Sequence, residues 1–198
     1  MATKRHEFED EDTALFLRFQ NKGDFGAFEQ LFMRHKENFI HYLWRLSSSP
    51  SIAADISQQC WLKLIELAGK KRFQKASHKG FKAYLYTMGR NYFLDQYVRK
   101  HEVSRTEELT DLSSSNSKED LTDSPERQTQ DRQRTSILNR VTNELPLEQR
   151  DVIALWAAGA SIKDICAITN APRNTVLSRK KYALTKLRTS LAAGEQNA

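Results

Sequence analysis

The stretch SIKDICAITNAPRNTVLSRKKYALTKLR, residues 161–188, decides the fold. Ile162, Ile165 and Ile168 recur at the spacing of one helix face, and Val176, Ala183 and Leu187 do the same for a helix starting near Arg173. Ser161 with Asp164 three residues later reads as a capping box, with Asp in place of the usual Glu or Gln. Asn170-Ala171-Pro172 is the turn between them, because asparagine tolerates the left-handed backbone. Helix, three-residue turn, helix is the helix-turn-helix arrangement. Its second helix fits the DNA major groove while the first braces it. Arg173, Asn174, Thr175, Ser178, Arg179, Lys181 and Tyr182 form the polar face that would meet duplex DNA. A merely solvated basic hairpin is the bland alternative, but a net charge of +6 over 161–191 exceeds what solubility requires.

Upstream of this unit, Pro146 is predicted at a first helical position, followed by an apolar stripe of Val152, Ile153, Leu155 and Trp156. Gly159 closes that helix. An amphipathic stretch through Ile137, Leu138, Val141 and Leu145 precedes it. Before that lies SRTEELTDLSSSNSKEDLTDSPERQTQD, rich in Ser, Thr and acid and without an aromatic residue. Such a segment buries too little apolar surface to offset its ordering entropy, which predicts a flexible acidic linker over 104–134.

The first hundred residues read as helices. Leu15, Phe16 and Phe19 share a face within 12–21, and Asp24 is a predicted N-cap for a helix carrying Phe28, Leu31, Phe32, Phe39, Leu43 and Leu46. Ser47–Pro50 interrupts it. The next helix places Ile56, Cys60, Leu64 and Leu67 on one face, with Leu62 and Ile65 widening the apolar side. After the basic loop KKRFQKASHKG comes a long helix from Phe81 to about Arg99, where basic and aromatic residues interleave. That pattern suits single-stranded nucleic acid, with bases stacked on rings and phosphates neutralised nearby. The competing explanation is that several of these rings, Phe81 among them, are simply core.

The 198 residues carry a net charge of +6, and its distribution is more informative than its size. Residues 63–102 hold a net +7 and residues 161–191 a net +6, while 104–131 holds −5. Two basic blocks flanking an acidic connector point to a polyanion partner, most often nucleic acid. No apolar run reaches the length of a spanning helix, and the N-terminus lacks a secretory h-region. Cys60 and Cys166 lie far apart without metal-ligand spacing, which fits reduced thiols in a cytoplasmic protein. Five scattered histidines, no phosphate-binding glycine loop and no positioned nucleophile argue against an enzyme, a cofactor or a metal site.

Four motifs then converge on one family. GDFGAFEQLFMRH resembles the opening GDxxAFxxLxxRY of bacterial RNA polymerase sigma factors of the extracytoplasmic-function (ECF) group. AADISQQCWLKL resembles their polymerase-docking helix AEDLxQEvFLkl, and FKAYLYTMGRNYFLDQYVRK is similar to FxxWLyxIarNxxiDxxRr. The stretch from Leu145 to Arg188 resembles the fourth-region pattern LPexqRevxxLxxxxGlSyxEIAxxLgxsxgTVkSRlxRAxxxLr.

The resemblance implies an all-α protein of two small helical domains. Residues 1–103 would dock on core RNA polymerase and hold the minus-ten strand, 104–134 would be the linker, and 135–198 would read the minus-thirty-five element. Docking would fall to Asp55, Ile56, Gln58, Gln59, Trp61 and Leu62. Single-stranded DNA would meet Ser77, His78, Lys79, Phe81, Lys82, Tyr84, Arg90 and Asn91. Expected partners are core polymerase, promoter DNA and either an anti-sigma factor or a Ser/Thr kinase, with no membrane insertion.

Where the family shows two further acids in the docking helix, this chain has Ala54 and Gln59, leaving Asp55 alone. Docking made conditional on added negative charge would restore the balance, with Ser47, Ser48, Ser49, Ser51 and Ser57 as candidate phosphorylation sites. In the last helix, Leu177 replaces the family's usual Lys and Lys180 its buried Leu. The alternative from another class is a helix-turn-helix regulator that binds duplex DNA without polymerase. A third is a sigma-mimicking protein that sequesters a partner and binds no DNA.

Overall fold

The computed structural model describes residues 2–67, 80–106, 142 and 144–195. Among these residues the chain is all-α, with helices α1 (Ala2–Lys22), α2 (Phe25–Ser47), α3 (Pro50–Glu66), α4 (Gly80–Thr106), α5 (Leu147–Ala157), α6 (Ile162–Thr169) and α7 (Arg173–Glu195). Helix α1 begins ten residues before the expected start at Asp12, and α4 runs past the expected end near Arg99. The remainder of the acidic segment, 107–134, lies outside the described residues, as do Ile137, Leu138 and Val141 and the loop residues Ser77, His78 and Lys79.

Local chemistry sets most helix ends. The Asp24 carboxylate accepts from Ala27 N at 3.0 Å and caps α2. The helix closes at Ser48, whose left-handed backbone (φ 60°) turns the chain into α3. Ser49 caps α3 and Pro50 fills its first turn, where a missing N–H has no consequence. Pro146 stands at the N-cap of α5 instead of its first helical position. Gly159 follows α5 with φ 77°, a conformation that favours glycine.

In α6 the capping box is complete: Ser161 Oγ accepts from Asp164 N at 3.1 Å, and the Asp164 carboxylate accepts from Ser161 N at 2.9 Å. Ser161→Ala is expected to destabilise the protein by about 1 kcal/mol. Thermal unfolding followed by circular dichroism measures it.

The core of the first half is aromatic. Phe16 and Phe19 of α1, Phe39 and Tyr42 of α2, and Phe81 and Tyr86 of α4 are all fully buried. Phe39 packs against the rings of Trp61, Tyr42 and Tyr86. Gly89 lets α4 approach α2 here, since a Cβ on it would lie 2.7 Å from Phe39 Cζ. Cys60 sits in the same core, where burial pushes its thiol up to about 12. Such a thiol stays protonated and unreactive at neutral pH.

A buried polar pair ties α1 to α2. His35 Nε2 lies 2.7 Å from Asp12 Oδ2, and Arg34 Nη1 donates to Asp12 Oδ1 at 2.9 Å. Burial alone would raise the Asp12 carboxyl, but the hydrogen bonds and charges of His35 and Arg34 outweigh it and hold it below its ordinary 3.8. A depressed folded-state value stabilises the protein at pH above the ordinary value and is lost as pH falls through the depressed one. Asp12→Asn is therefore expected to lower stability at neutral pH and to flatten its decline in acid. Urea unfolding across a pH series reads both effects.

The second half is not packed separately. One contiguous apolar cluster joins residues of α1–α4 to Val152, Ala154 and Leu155 of α5, Ile165 and Ile168 of α6 and Val176 of α7. Helix α5 lies against α2, and α6 against α4. Leu145, Ile153, Ala183 and Leu187 form a smaller cluster of their own.

Candidate nucleic-acid interface

The two helices of the 161–188 stretch are joined as expected, with Asn170 at the C-cap of α6 in the left-handed conformation (φ 54°). Val176, Ala183 and Leu187 turn inward. That orientation leaves Arg173, Asn174, Ser178, Lys181 and Tyr182 exposed, with Thr175 and Arg179 half-buried beside them. Leu177 is exposed on this same basic helix. The Lys180 ammonium sits 3.9 Å above the centre of the Trp156 ring, a cation–π contact. Trp156 is correspondingly 43% exposed and is not part of the buried stripe expected for α5.

Along α4 the residues separate by depth. Phe81 has no exposed surface and packs 5.0 Å from the Phe16 ring, so it is core and cannot line a DNA strand. Lys82, Tyr84 and Arg90 are half-buried and Asn91 is exposed. Lys82 Nζ donates to the Gly159 carbonyl at 3.1 Å, and Arg90 Nε donates to Asp151 Oδ2 at 2.6 Å. Both acceptors belong to the second half of the chain.

Helix α3 separates in the same way. Ile56 is fully buried and Trp61 nearly so, edge-on to Phe28, Phe32 and Phe39, so neither is available to a docking partner. The exposed edge comprises Asp55, Gln58, Gln59 and Leu62, with Ile65 continuing its apolar part. Among the candidate phosphorylation sites, Ser57 is buried and excluded by its packing. Ser47 and Ser49 are half-buried and hydrogen-bonded to each other, and Ser49 also caps α3. Ser48 and Ser51 are exposed.

Residues 31–103, which contain α3 and most of α2 and α4, match the family Sigma-70 region 2. Over that stretch the chain is similar to the sigma-70 family. Members of that family are transcription initiation factors and not enzymes. The fold is similar to that of the sigma factor RpoE from Bartonella quintana, solved in complex with the anti-sigma factor NepR. The TM-score is 0.65 at 23% identity, covering 83% of this chain and 96% of that one. It is also similar to CnrH, solved in complex with the cytosolic domain of CnrY, with a TM-score of 0.61 at 20% identity over 92% of this chain and 98% of that one. No curated protein sequence matches the chain.

The chain also holds a site that its sequence did not single out. Asp151 on α5 is 3% exposed and accepts from Tyr42 Oη at 3.0 Å as well as from Arg90. Burial pushes the Asp151 carboxyl up, and the charge of Arg90 is the strongest influence opposing it. Burial also raises the Tyr42 hydroxyl well above its usual value, helped by the Asp151 charge, so it remains a donor. Next to it, Arg150 Nη1 donates to Ser48 Oγ at 3.2 Å and to the Leu46 carbonyl at 3.4 Å.

The signal was local but subtle. Asp151 shares the face of Ala154, Leu155 and Ala158, and an acid on an apolar face must find a buried partner. Among the described residues, no group of three or more His, Cys, Asp or Glu is placed to hold a metal, and no helix is long and apolar enough to cross a membrane.

Proposed function

We propose that this chain is an ECF-type sigma factor that directs core RNA polymerase to a small set of promoters. The match of residues 31–103 to Sigma-70 region 2 carries this reading. The exposed edge of α3, with Asp55, Gln58, Gln59 and Leu62, is the proposed polymerase contact. Lys82, Tyr84, Arg90 and Asn91 on α4, together with Ser77, His78 and Lys79, would hold the melted minus-ten strand. Helices α6 and α7 would act as the helix-turn-helix of a second domain, reading the minus-thirty-five duplex through Arg173, Asn174, Thr175, Ser178, Arg179, Lys181 and Tyr182. The acidic segment 104–134 would link the two domains. By analogy with the two similar sigma factors, an anti-sigma factor is the proposed protein partner.

Initiation from promoter libraries with core polymerase and the purified chain tests this reading. Promoter-specific transcripts are expected. Duplex binding without any polymerase-dependent transcript would instead identify a plain helix-turn-helix regulator.

Docking is proposed to be conditional, because Asp55 is the one acid remaining in AADISQQ. Ser51 is the best-placed modification site: it is exposed in the first turn of α3, where a phosphate would meet the positive end of the helix dipole. Ser51→Asp is expected to raise retention of the chain on immobilised core polymerase several-fold. Tight stoichiometric binding by the unmodified protein would overturn conditional docking while leaving the sigma reading intact.

A further inference from the structure

Helix α1 ends before residue 31 and so lies outside the stretch that matches Sigma-70 region 2. Three of its consecutive residues nevertheless fasten both α2 and α4. Glu11 and Asp12 hold α2: Arg34 donates to Glu11 Oε1 at 3.0 Å and to Asp12 Oδ1 at 2.9 Å, and His35 Nε2 lies 2.7 Å from Asp12 Oδ2. Thr13 holds α4, because its Oγ1 accepts from Phe81 N at 3.1 Å across 68 residues of sequence. One turn further along α1, the Phe16 ring packs 5.0 Å from the Phe81 ring and 6.4 Å from the Tyr84 ring.

The bond to Phe81 is an N-cap supplied from outside the helix. The first N–H groups of a helix have no partner within it. Gly80 opens α4 with φ 73° and has no side chain to offer them. The hydroxyl of Thr13 takes that place, and Lys82 and Tyr84 lie in the turn that it closes. We propose that Thr13 is a positioning residue for strand binding, holding the first turn of α4 so that Lys82 and Tyr84 meet single-stranded DNA as an ordered cation and ring. This inference rests on the reading of α4 as the strand-holding helix. Glu11 and Asp12 serve it indirectly, since their bonds to α2 fix the turn of α1 that carries the hydroxyl. Without the cap, the first turn of α4 is ordered for a smaller fraction of the time. The apparent affinity for a strand falls by that fraction, because binding must then restore the order.

The test uses the full-length chain with Thr13→Val, which keeps the shape and removes the hydroxyl, and Thr13→Ser, which keeps the hydroxyl. Hydrogen exchange at the Phe81 amide reports the cap. Fluorescence anisotropy with a fluorescein-labelled oligothymidine reports strand binding, and mobility shifts with a duplex report α7. Thr13→Val is expected to lose protection at Phe81 and to bind the strand roughly fivefold more weakly, with duplex affinity unchanged. Thr13→Ser is expected to restore both protection and strand affinity. Thr13→Ala removes the hydroxyl with less bulk and answers the same question if the valine variant unfolds, which circular dichroism would reveal.

Lost protection at Phe81 with unchanged strand affinity would overturn the positioning role. Equal losses of strand and duplex affinity would overturn it as well, because a general loss of stability explains both. Tyr84→Ala separates this inference from the reading beneath it. If that variant leaves strand affinity unchanged, the strand-holding reading of α4 falls and the inference with it. A loss with Tyr84→Ala that Thr13→Val does not share overturns the inference alone.

Discussion

Replacing Phe39 by alanine is expected to destabilise the protein by about 3–5 kcal/mol, the range for losing a large buried ring. Phe39 is fully buried at the point where α2, α3 and α4 meet, with the rings of Trp61, Tyr42 and Tyr86 around it. Its removal would leave a void lined by rigid aromatics that relax only partly. The same site is sensitive in the opposite direction. A Cβ at Gly89 would lie 2.7 and 2.8 Å from two Phe39 ring atoms and 3.1 Å from Leu43 Cδ2. Gly89→Ala should therefore cost about 1–3 kcal/mol by overpacking, although alanine favours a helix over glycine by up to about 1 kcal/mol.

The two effects are coupled, because each substitution changes the space that the other occupies. In a Phe39→Leu background, Gly89→Ala should be markedly less harmful, and a double-mutant cycle by urea unfolding measures the difference. Additive effects would mean that the close approach of α4 to α2 is not limited by this ring.

The second large effect is expected on DNA. Arg173 stands exposed at the start of α7, and Arg179 lies further along the same helix. Arginines reading bases in the major groove contribute about 1–3 kcal/mol each, so each alanine substitution should weaken promoter binding about fivefold to 150-fold. The salt dependence separates the roles. An arginine on phosphate weakens all sequences alike and lowers the salt slope by about 1, whereas one on a base edge loses discrimination between sequences. Electrophoretic mobility shifts with cognate and scrambled duplexes at several salt concentrations measure both. Unchanged affinity in both variants would remove α7 from the recognition role.

Leu177 sharpens this prediction. It is an exposed apolar side chain on an otherwise polar stretch of α7, suited to the methyl group of thymine. Leu177→Lys should lower the preference for thymine at one promoter position while raising non-specific affinity.

The helices and caps were legible in the sequence because their causes are local. Ser161 with Asp164, Asn170 and Gly159 all end helices as their chemistry predicts. Apolar spacing likewise identified the inward positions Val176, Ala183 and Leu187. Depth was less legible. On α3 and α4 the spacing placed Ile56 inward and gave Phe81 as a core candidate, whereas the family resemblance set Ile56, Trp61 and Phe81 among the contact residues. Packing against α1 and α2 turned all three inward and left Leu62 outward. Trp156 went the other way, because Lys180 offered its ring a cation at the surface.

By itself, then, the sequence determined an all-α chain with two basic blocks, a helix-turn-helix pattern and a family resemblance, since periodicity, capping and charge act within a few residues. The meeting of the two halves was decided only by the tertiary structure. Asp151 finds Arg90 across 61 residues and Tyr42 across 109. Such pairings depend on which helix faces are left after the rest of the core has packed, and no local pattern records that outcome. The physical reason is burial: a carboxylate removed from water must be matched by donors from wherever the chain supplies them, and here the donors come from the helices proposed to hold DNA.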